Sequence, residues 1–173
     1  MSNFRFYAKG GKTTILKTGG KLVEKDIEIL GDPSGSLDEY FSGSLKRIVI
    51  KAQSADVPES FFAVCEGLEY VDFASEKAPT AFRTECFIDC YNLDTIVIRG
   101  SDVIPSIGDA TFSATPFDVG VGYLYVPRTM YQSYEEDRGE GWINYRPANM
   151  TIRILEDYTV DGTIWGELDP AKI

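Results

Sequence analysis

The sequence predicts a small mixed α/β fold built as a solenoid of stacked repeats, and two observations carry that prediction. The stretch SFFAVCEGLEYVDF aligns with ECFIDCYNLDTIVI, and both share the pattern F-x-x-C-x-x-L-x-x-V/I-x-F/I. The anchoring leucines Leu45, Leu68 and Leu93 recur at intervals of 23 and 25 residues. A period of about 20–29 residues indicates units that bury their apolar faces only by stacking on neighbours.

Each unit is predicted to contain a short helical segment, a turn and a short strand. Phe62 and Cys65 are three residues apart, which is the spacing of one helical or 3₁₀ turn facing the interior. In the strand that follows, alternate residues point to the same side of the sheet. Val71 and Phe73 are therefore expected to face inward, and Asp72 is expected to face solvent.

The outer copies of the repeat are less regular. An earlier truncated copy, SLKRIVI, supplies Ile48 and Ile50, and a later copy, ATFSATPFDVGVGYLYVP, places Phe112 and Thr115 in the phenylalanine and cysteine positions. The pattern resembles the BspA-like subclass of leucine-rich repeats over residues 41–127. That resemblance implies a leucine-rich-repeat solenoid that works as a binding or structural module.

The two ends are predicted to differ from the repeats. Residues 1–30 are expected to form an N-terminal β-hairpin segment, with strands near 13–17 and 23–29 joined at Gly19 and Gly20. The Gly- and Ser-containing residues 31–40 are expected to be a linker that marks a domain boundary.

After the repeats, residues 128–155 are predicted to form a C-terminal cap. Arg128–Glu136 is expected to be a helix, Trp142 to cover the last repeat, and 151–155 to form a closing strand. The helix face that would pack on the repeats carries Met130, Tyr131 and Tyr134. Residues 156–173 are expected to be a polar tail.

A second resemblance concerns the stretch ILKTGGKLVEKDIEI. It is similar to the motif I-x-x-x-x-G-K-x-x-x-K-D-I-x-V/I, which precedes variable binding domains in tail and baseplate proteins of phages and prophages of Gram-positive bacteria. The matching residues are Ile15, Gly20, Lys21, Lys25, Asp26, Ile27 and Ile29. This resemblance implies a virion component that recognises a protein or a cell-surface glycan. The alternative is a phage-encoded inhibitor that binds a basic site on a host defence protein.

Composition excludes several classes of partner and location. The net charge is −10, which argues against nucleic acid because backbone phosphates require basic surfaces. No apolar run reaches the ~18–20 residues needed for membrane insertion. The first residues show no apolar signal-peptide core, so a location in the virion or host cytoplasm is expected. The oligomeric state stays open, a homo-oligomer included.

Catalytic chemistry is not predicted. The chain has no histidine, and Cys86 and Cys90 form one pair four residues apart, but Cys65 leaves no second pair to complete a zinc site. Buried structural thiols are expected instead, with no metal, no cofactor and no enzymatic activity.

The candidate binding residues are acidic or tyrosine side chains on or beside the repeat strands. They are Glu69, Tyr70, Asp72, Tyr91, Asp94, Tyr123 and Tyr125. Exposed tyrosines next to carboxylates are typical of contact surfaces. The alternative is that the tyrosines only cover strand faces and turns.

Overall fold

The computed structural model describes residues 6–8, 12–18, 45–51, 56–136, 142, 146–160 and 163–167. The described elements are short strands, an α-helix and two 3₁₀ helices. In chain order they are β1 (Phe6–Ala8), β2 (Lys12–Thr18), β3 (Leu45–Lys51), β4 (Asp56–Val57), β5 (Tyr70–Phe73), β6 (Ala81–Phe82), β7 (Thr95–Ile98), β8 (Ser106–Ile107), β9 (Tyr123–Val126), α1 (Arg128–Glu136), β10 (Thr151–Ile154), a 3₁₀ helix at Leu155–Asp157, β11 (Thr159–Val160), β12 (Thr163–Ile164) and a 3₁₀ helix at Trp165–Glu167.

The repeat strands form one side of a solenoid. They pair in parallel in the order β2-β3-β5-β7-β9-β10, and β1 adds antiparallel to β2 at one edge. The register places Val71 opposite Ile96 and Phe73 opposite Ile98, as the alignment of the two copies predicts. Ile96 in turn lies opposite Leu124 in the degenerate last copy. The predicted stacking of repeats into a solenoid is confirmed.

Two further sides complete each coil. The second is the short parallel sheet β4-β6-β8. The third consists of residues 59–64, 84–89 and 109–114, which form consecutive turns where short helices were expected. Within each turn an amide bonds to the carbonyl three residues earlier, as Ala63 N–H does to the Ser60 carbonyl at 3.2 Å. We call this third side the turn ladder.

Hydrogen bonding between coils explains why the turn ladder replaces helices. Positive φ angles recur at Ser60, Glu85 and Ala110, and again at Val64, Asp89 and Ala114. Such backbone costs about 1–2 kcal/mol per residue. The positive-φ backbone directs amides along the solenoid axis. Phe62 N–H therefore donates to the Cys86 carbonyl at 2.8 Å, and Phe87 N–H donates to the Thr111 carbonyl at 3.1 Å. An α-helix would use these amides internally.

The core of the solenoid is a stack of equivalent side chains. The rings of Phe62 and Phe87 are 5.3 Å apart and nearly parallel, and Phe87 stacks on Phe112 at 5.8 Å. Cys90 and Thr115 occupy the neighbouring position in successive coils, and both are buried. The Thr115 hydroxyl donates to the Phe112 carbonyl at 2.6 Å, which satisfies a polar group inside an apolar core.

Close contact between coils at Gly100 gives a first prediction. A Cβ atom at this position would lie 2.0 Å from the Ala78 amide nitrogen, whereas a Cβ at Gly166 would meet nothing closer than 3.5 Å. We expect Gly100→Ala to lower the free energy of unfolding by about 1–3 kcal/mol, the usual cost of overpacking. The control Gly166→Ala should change it by less than about 0.5 kcal/mol. Equal urea midpoints for the two variants would contradict the close approach.

The N-terminal strands join the same sheet as the repeats. The predicted first strand is present as β2, but the strand that hydrogen-bonds to it antiparallel is the upstream β1. On its other side β2 pairs in parallel with β3, so both of its edges are already occupied. The predicted second hairpin strand at 23–29 and the linker at 31–40 lie outside the described residues.

The C-terminal helix and strand form where the sequence predicts them. Helix α1 spans Arg128–Glu136, and β10 pairs in parallel with β9. Tyr134 and Trp142 are fully buried in the main core, and the Trp142 indole donates to the Tyr134 carbonyl at 3.1 Å. Met130 and Tyr131 pack against the same core. This helix face and Trp142 therefore pack on the core of the solenoid.

Candidate functional site

The outer face of the main sheet is covered by the end of the chain. Tyr70, Val97 and Tyr125 point away from the main core and form a second buried cluster with Leu155. Tyr158 packs against this cluster, and its ring meets the Tyr125 ring edge-on at 5.0 Å. The segments 155–160 and 163–167, which we call the C-terminal cover, therefore close a face that was expected to be open.

Asp72 is the largest correction to the predicted binding residues. It was expected to face solvent, yet it is fully buried beneath the C-terminal cover. Arg99 holds it with two hydrogen bonds, from Nε to Oδ1 at 3.0 Å and from Nη2 to Oδ2 at 2.9 Å. The Tyr70 hydroxyl also donates to Oδ2 at 2.5 Å. Alternation along the strand correctly places Asp72 on the outer side, but it does not reveal that this side is covered.

Arg99 joins the sheet to the C-terminal cover. Its Nη1 donates to the Gly166 carbonyl at 3.1 Å, while its other nitrogens bind Asp72. Burial alone would lower the pKa of Arg99, but the hydrogen bonds and charge of the Asp72 carboxylate outweigh burial and raise it. The guanidinium stays charged, and the pair acts as a fastening for the C-terminal cover.

Two more of the predicted binding tyrosines are engaged within the fold. Tyr125 is 6% exposed, and Tyr123 is half-buried. The Arg153 guanidinium lies 3.7 Å from the centre of the Tyr123 ring and 5.3 Å from that of Tyr158. These contacts place an arginine between two aromatic faces, a favourable cation–π arrangement that fixes the edge of the C-terminal cover.

Helix α1 anchors the start of the C-terminal cover. The Arg128 backbone amide donates to Glu156 Oε2 at 2.9 Å, and the Arg128 side chain forms an ion pair with Asp157. Acidic groups are stabilising at a helix N-terminus because the first amides there lack partners within the helix. The predicted polar tail thus has a structural role, at least over its described part.

Three of the predicted binding residues lie together on an open surface. Tyr91 is 53% exposed, Asp94 is exposed and Glu69 is half-buried. They belong to the edge where the turn ladder meets the main sheet, and we call this surface the Tyr91 corner. Its members are Glu66, Glu69, Asp89, Tyr91, Asn92 and Asp94.

Hydrogen bonds between coils give the Tyr91 corner its shape. The Tyr91 hydroxyl donates to Asp89 Oδ1 at 3.2 Å. The Asn92 side-chain amide donates to the Glu66 carbonyl of the preceding coil at 2.6 Å, and the Asp94 amide donates to the Glu69 carbonyl at 3.2 Å. Asp89 therefore lies at the hydroxyl of the exposed Tyr91 ring, and hydrogen bonds between backbone and side chains connect the two adjacent coils beside it.

The charge of the Tyr91 corner determines what it can bind. The negative charge of Asp89, followed by partial burial, the hydrogen bond to Asp89 and the charge of Glu66, raises the pKa of Tyr91. The phenol is therefore neutral across the physiological range. An aromatic ring flanked by carboxylates suits a lysine or arginine side chain, through cation–π contact and charge pairing.

The cysteines are buried, as predicted. Cys65, Cys86 and Cys90 are free and buried, and the Cys90 thiol donates to the Phe62 carbonyl at 3.0 Å. Burial raises the pKa of Cys86 and raises that of Cys90 to about 12, which keeps both thiols protonated and unreactive. Among the described residues, no group of three or more potential ligands is placed to hold a metal ion.

The raised pKa of Cys90 predicts a loss of stability in alkali. Below its ordinary value of 9.0 the thiol is protonated in both states, and stability does not depend on its titration. Between pH 9 and about 12 the unfolded chain loses the proton while the folded chain keeps it, so the free energy of unfolding falls. Urea unfolding from pH 8 to 11 should show a steeper decline for the native chain than for Cys90→Ala. Parallel declines would contradict the prediction.

Several residues of the candidate site were not predicted, and one sequence signal could have directed attention to them. Arg99, Glu66, Asp89 and Asn92 were not among the candidates. The strand sequences TIVI and YLYV are almost continuously apolar, which is typical of parallel strands buried on both faces. That signal predicts that the outer face of the main sheet is covered. An accessible binding surface is then expected at the corners between coils.

The fold and the site together define a repeat solenoid of parallel strands with one closed sheet face and an open acidic corner. Comparison with protein-family models, with curated proteins and with solved structures gives no match to this chain. Across the described residues, no helix is both long and apolar enough to cross a bilayer.

Proposed function

We propose that this chain is a non-enzymatic recognition module of the BspA-like leucine-rich-repeat type that binds a basic protein surface through the Tyr91 corner. The repeat pattern and the stacked coils support the class of module. The observation that carries the binding role is Tyr91 itself, a ring that is 53% exposed, hydrogen-bonded to Asp89 and near the negative charge of Glu66. Aromatic residues of this kind are enriched among the energetically dominant residues of protein interfaces.

We further propose a virion setting, as a tail- or baseplate-associated protein of a phage or prophage. Its support is the resemblance of the N-terminal stretch that includes Gly20, Lys21, Asp26 and Ile27. Mass spectrometry of purified particles tests this setting directly. Detection of the chain at a fixed ratio to a major tail protein is expected, and its absence from intact particles would refute the virion setting.

A second candidate function is inhibition of a host defence protein, and the acidity of the Tyr91 corner favours it. The same carboxylates that would bind a receptor would also occupy a basic nucleic-acid or nucleotide site. The two functions differ in where the partner is found, which is on the cell surface for the virion component and in the cytoplasm for the inhibitor. A glycan partner would show weak salt dependence because it lacks positive charge.

Substitutions at the Tyr91 corner test the binding role. A photo-crosslinking residue in place of Tyr91 should capture a basic partner from host cells, after which affinity can be measured for variants. We expect Tyr91→Ala and Asp94→Lys each to weaken binding about tenfold or more, with the wild-type affinity falling as salt rises. Glu76→Lys makes the same charge change at another exposed position and should have little effect. Equal losses for Asp94→Lys and Glu76→Lys would show a diffuse charge effect and would refute a local site.

A further inference from the structure

The buried group beneath the C-terminal cover shows how this protein holds a guanidinium. The Tyr70 hydroxyl donates to Asp72 Oδ2 at 2.5 Å, and the two residues are two positions apart in the chain. Arg99 binds the same carboxylate through two donors, Nε at 3.0 Å and Nη2 at 2.9 Å. A side-chain hydrogen bond also joins Arg99 to Tyr70. Phenol, carboxylate and guanidinium thus form a closed group of three.

A second pair of tyrosine and aspartate lies at the Tyr91 corner, where it is open to solvent. The Tyr91 hydroxyl donates to Asp89 Oδ1 at 3.2 Å, and these residues are also two positions apart. Tyr91 is 53% exposed and Asp89 is half-buried. The pair therefore presents the same two functional groups as Tyr70 and Asp72, but on a surface that a partner can contact.

The backbone that carries this exposed pair is fixed by the turn ladder. The Asp89 amide donates to the Ser113 carbonyl of the next coil at 3.1 Å. Cys90, which lies between Asp89 and Tyr91, is buried, and its thiol donates to the Phe62 carbonyl at 3.0 Å. A site on a fixed backbone has less conformational freedom to lose when a partner binds, and this favours affinity.

The geometry of the exposed pair favours arginine over lysine. A guanidinium carries five N–H donors in a planar fork, so it can donate to a carboxylate and to a neighbouring phenol oxygen at once. A lysine ammonium is a compact point charge on a flexible stem and fits a planar pair of acceptors less well. The Tyr91 hydroxyl donates its proton to Asp89, so its oxygen can accept from the incoming cation.

We propose that the partner residue bound at the Tyr91 corner is an arginine, whose guanidinium donates to the Asp89 carboxylate and to the Tyr91 hydroxyl oxygen as Arg99 does in the buried group. This inference rests on the proposed function and specifies the ligand as an arginine side chain on the surface of a partner protein. The Tyr91 hydroxyl, and not only the ring, takes part in the recognition.

NMR titration of the full chain with three short peptides tests this assignment. The probes are acetyl-Gly-Arg-Gly-amide, the matching lysine peptide, and the citrulline peptide, which keeps the shape of arginine without its charge. We expect the arginine peptide to shift the signals of Asp89 and Tyr91 and to bind about fivefold more tightly than the lysine peptide. The citrulline peptide should bind about tenfold more weakly than the arginine peptide.

Two conservative variants separate the hydroxyl from the carboxylate. Tyr91→Phe keeps the ring, and it should weaken arginine binding about threefold while lysine binding changes little. Asp89→Asn removes the charge and should weaken arginine binding about tenfold. Asparagine tolerates the left-handed backbone at this position, where φ is +59°, so the variant should fold. Glu76→Gln removes a carboxylate from another exposed position and should leave the affinities unchanged.

The results distinguish a wrong ligand from a wrong site. Equal affinities for the arginine and lysine peptides, or unchanged arginine binding in Tyr91→Phe, would refute the guanidinium assignment and leave a basic partner in place. The absence of shifts at Asp89 and Tyr91 with either cationic peptide would refute it as well. In that case the crosslinking experiment with Asp94→Lys and Glu76→Lys decides separately whether the Tyr91 corner binds a partner. Equal binding of citrulline and arginine would contradict any role for charge.

Discussion

Arg99→Ala is expected to lower the free energy of unfolding by about 3–5 kcal/mol, since it leaves a buried carboxylate without its partner. Asp72 is fully buried, and the Arg99 side chain is 11% exposed, so solvent compensates little for the lost contacts. The same substitution removes the hydrogen bond to Gly166 and should loosen the C-terminal cover. Urea unfolding gives the stability, and hydrogen exchange at residues 155–167 shows the loosening.

The double variant Asp72→Leu/Arg99→Met provides the matched control. It removes both charges and keeps much of the apolar volume, so we expect it to recover most of the stability lost in Arg99→Ala. A double variant that is as unstable as the single one would show that the loss arises from packing. A single variant close to the native stability would mean that Asp72 is not buried as a charged group.

Phe87→Ala is expected to be comparably destabilising, by about 3–5 kcal/mol. Phe87 is fully buried at the centre of the stack and contacts the rings of Phe62, Phe82 and Phe112. Removal of the ring leaves a cavity between coils that cannot collapse, because the coils are held at a fixed spacing by the sheet and the turn ladder.

Two comparisons give the Phe87 result its meaning. Phe87→Leu keeps most of the volume and should lose clearly less than Phe87→Ala. Tyr91→Ala removes an aromatic ring of similar size from an exposed position, so it should change stability by no more than about 0.5 kcal/mol. Equal urea midpoints for Phe87→Ala and Tyr91→Ala would contradict the packing of Phe87 in a stacked core.

Repeat periodicity made the solenoid predictable from the sequence. Side-chain alternation predicted which side chains face outward, but it did not predict whether that outer face is covered. The matched positions of Val71 and Ile96 predicted both the register and the inward face, because each coil repeats the same local geometry. The burial of Asp72 was not predictable in this way. It depends on Gly166, whose carbonyl reaches Arg99 from 67 residues further along the chain, and no local period records such a contact.

The turn ladder shows a second limit of local pattern. A spacing of three residues between Phe62 and Cys65 fits a helix, a 3₁₀ turn or the turns that occur. The choice among them is made by hydrogen bonds to the next coil, as between Phe62 and Cys86. Helix α1 was predicted with its observed bounds. Its side chains pack on the core at the point where the repeats end, so the local pattern is enough to predict it.

The C-terminal cover also sets an order of events during synthesis. Arg99 leaves the ribosome 67 residues ahead of Gly166, which corresponds to roughly 3–13 s at ordinary elongation rates. During that interval the outer face of β5 and β7, with Tyr70 and Val97, has no cover in the nascent chain. Chains that terminate before Leu155 keep this apolar surface exposed permanently, so truncated products should be prone to aggregation and to capture by chaperones.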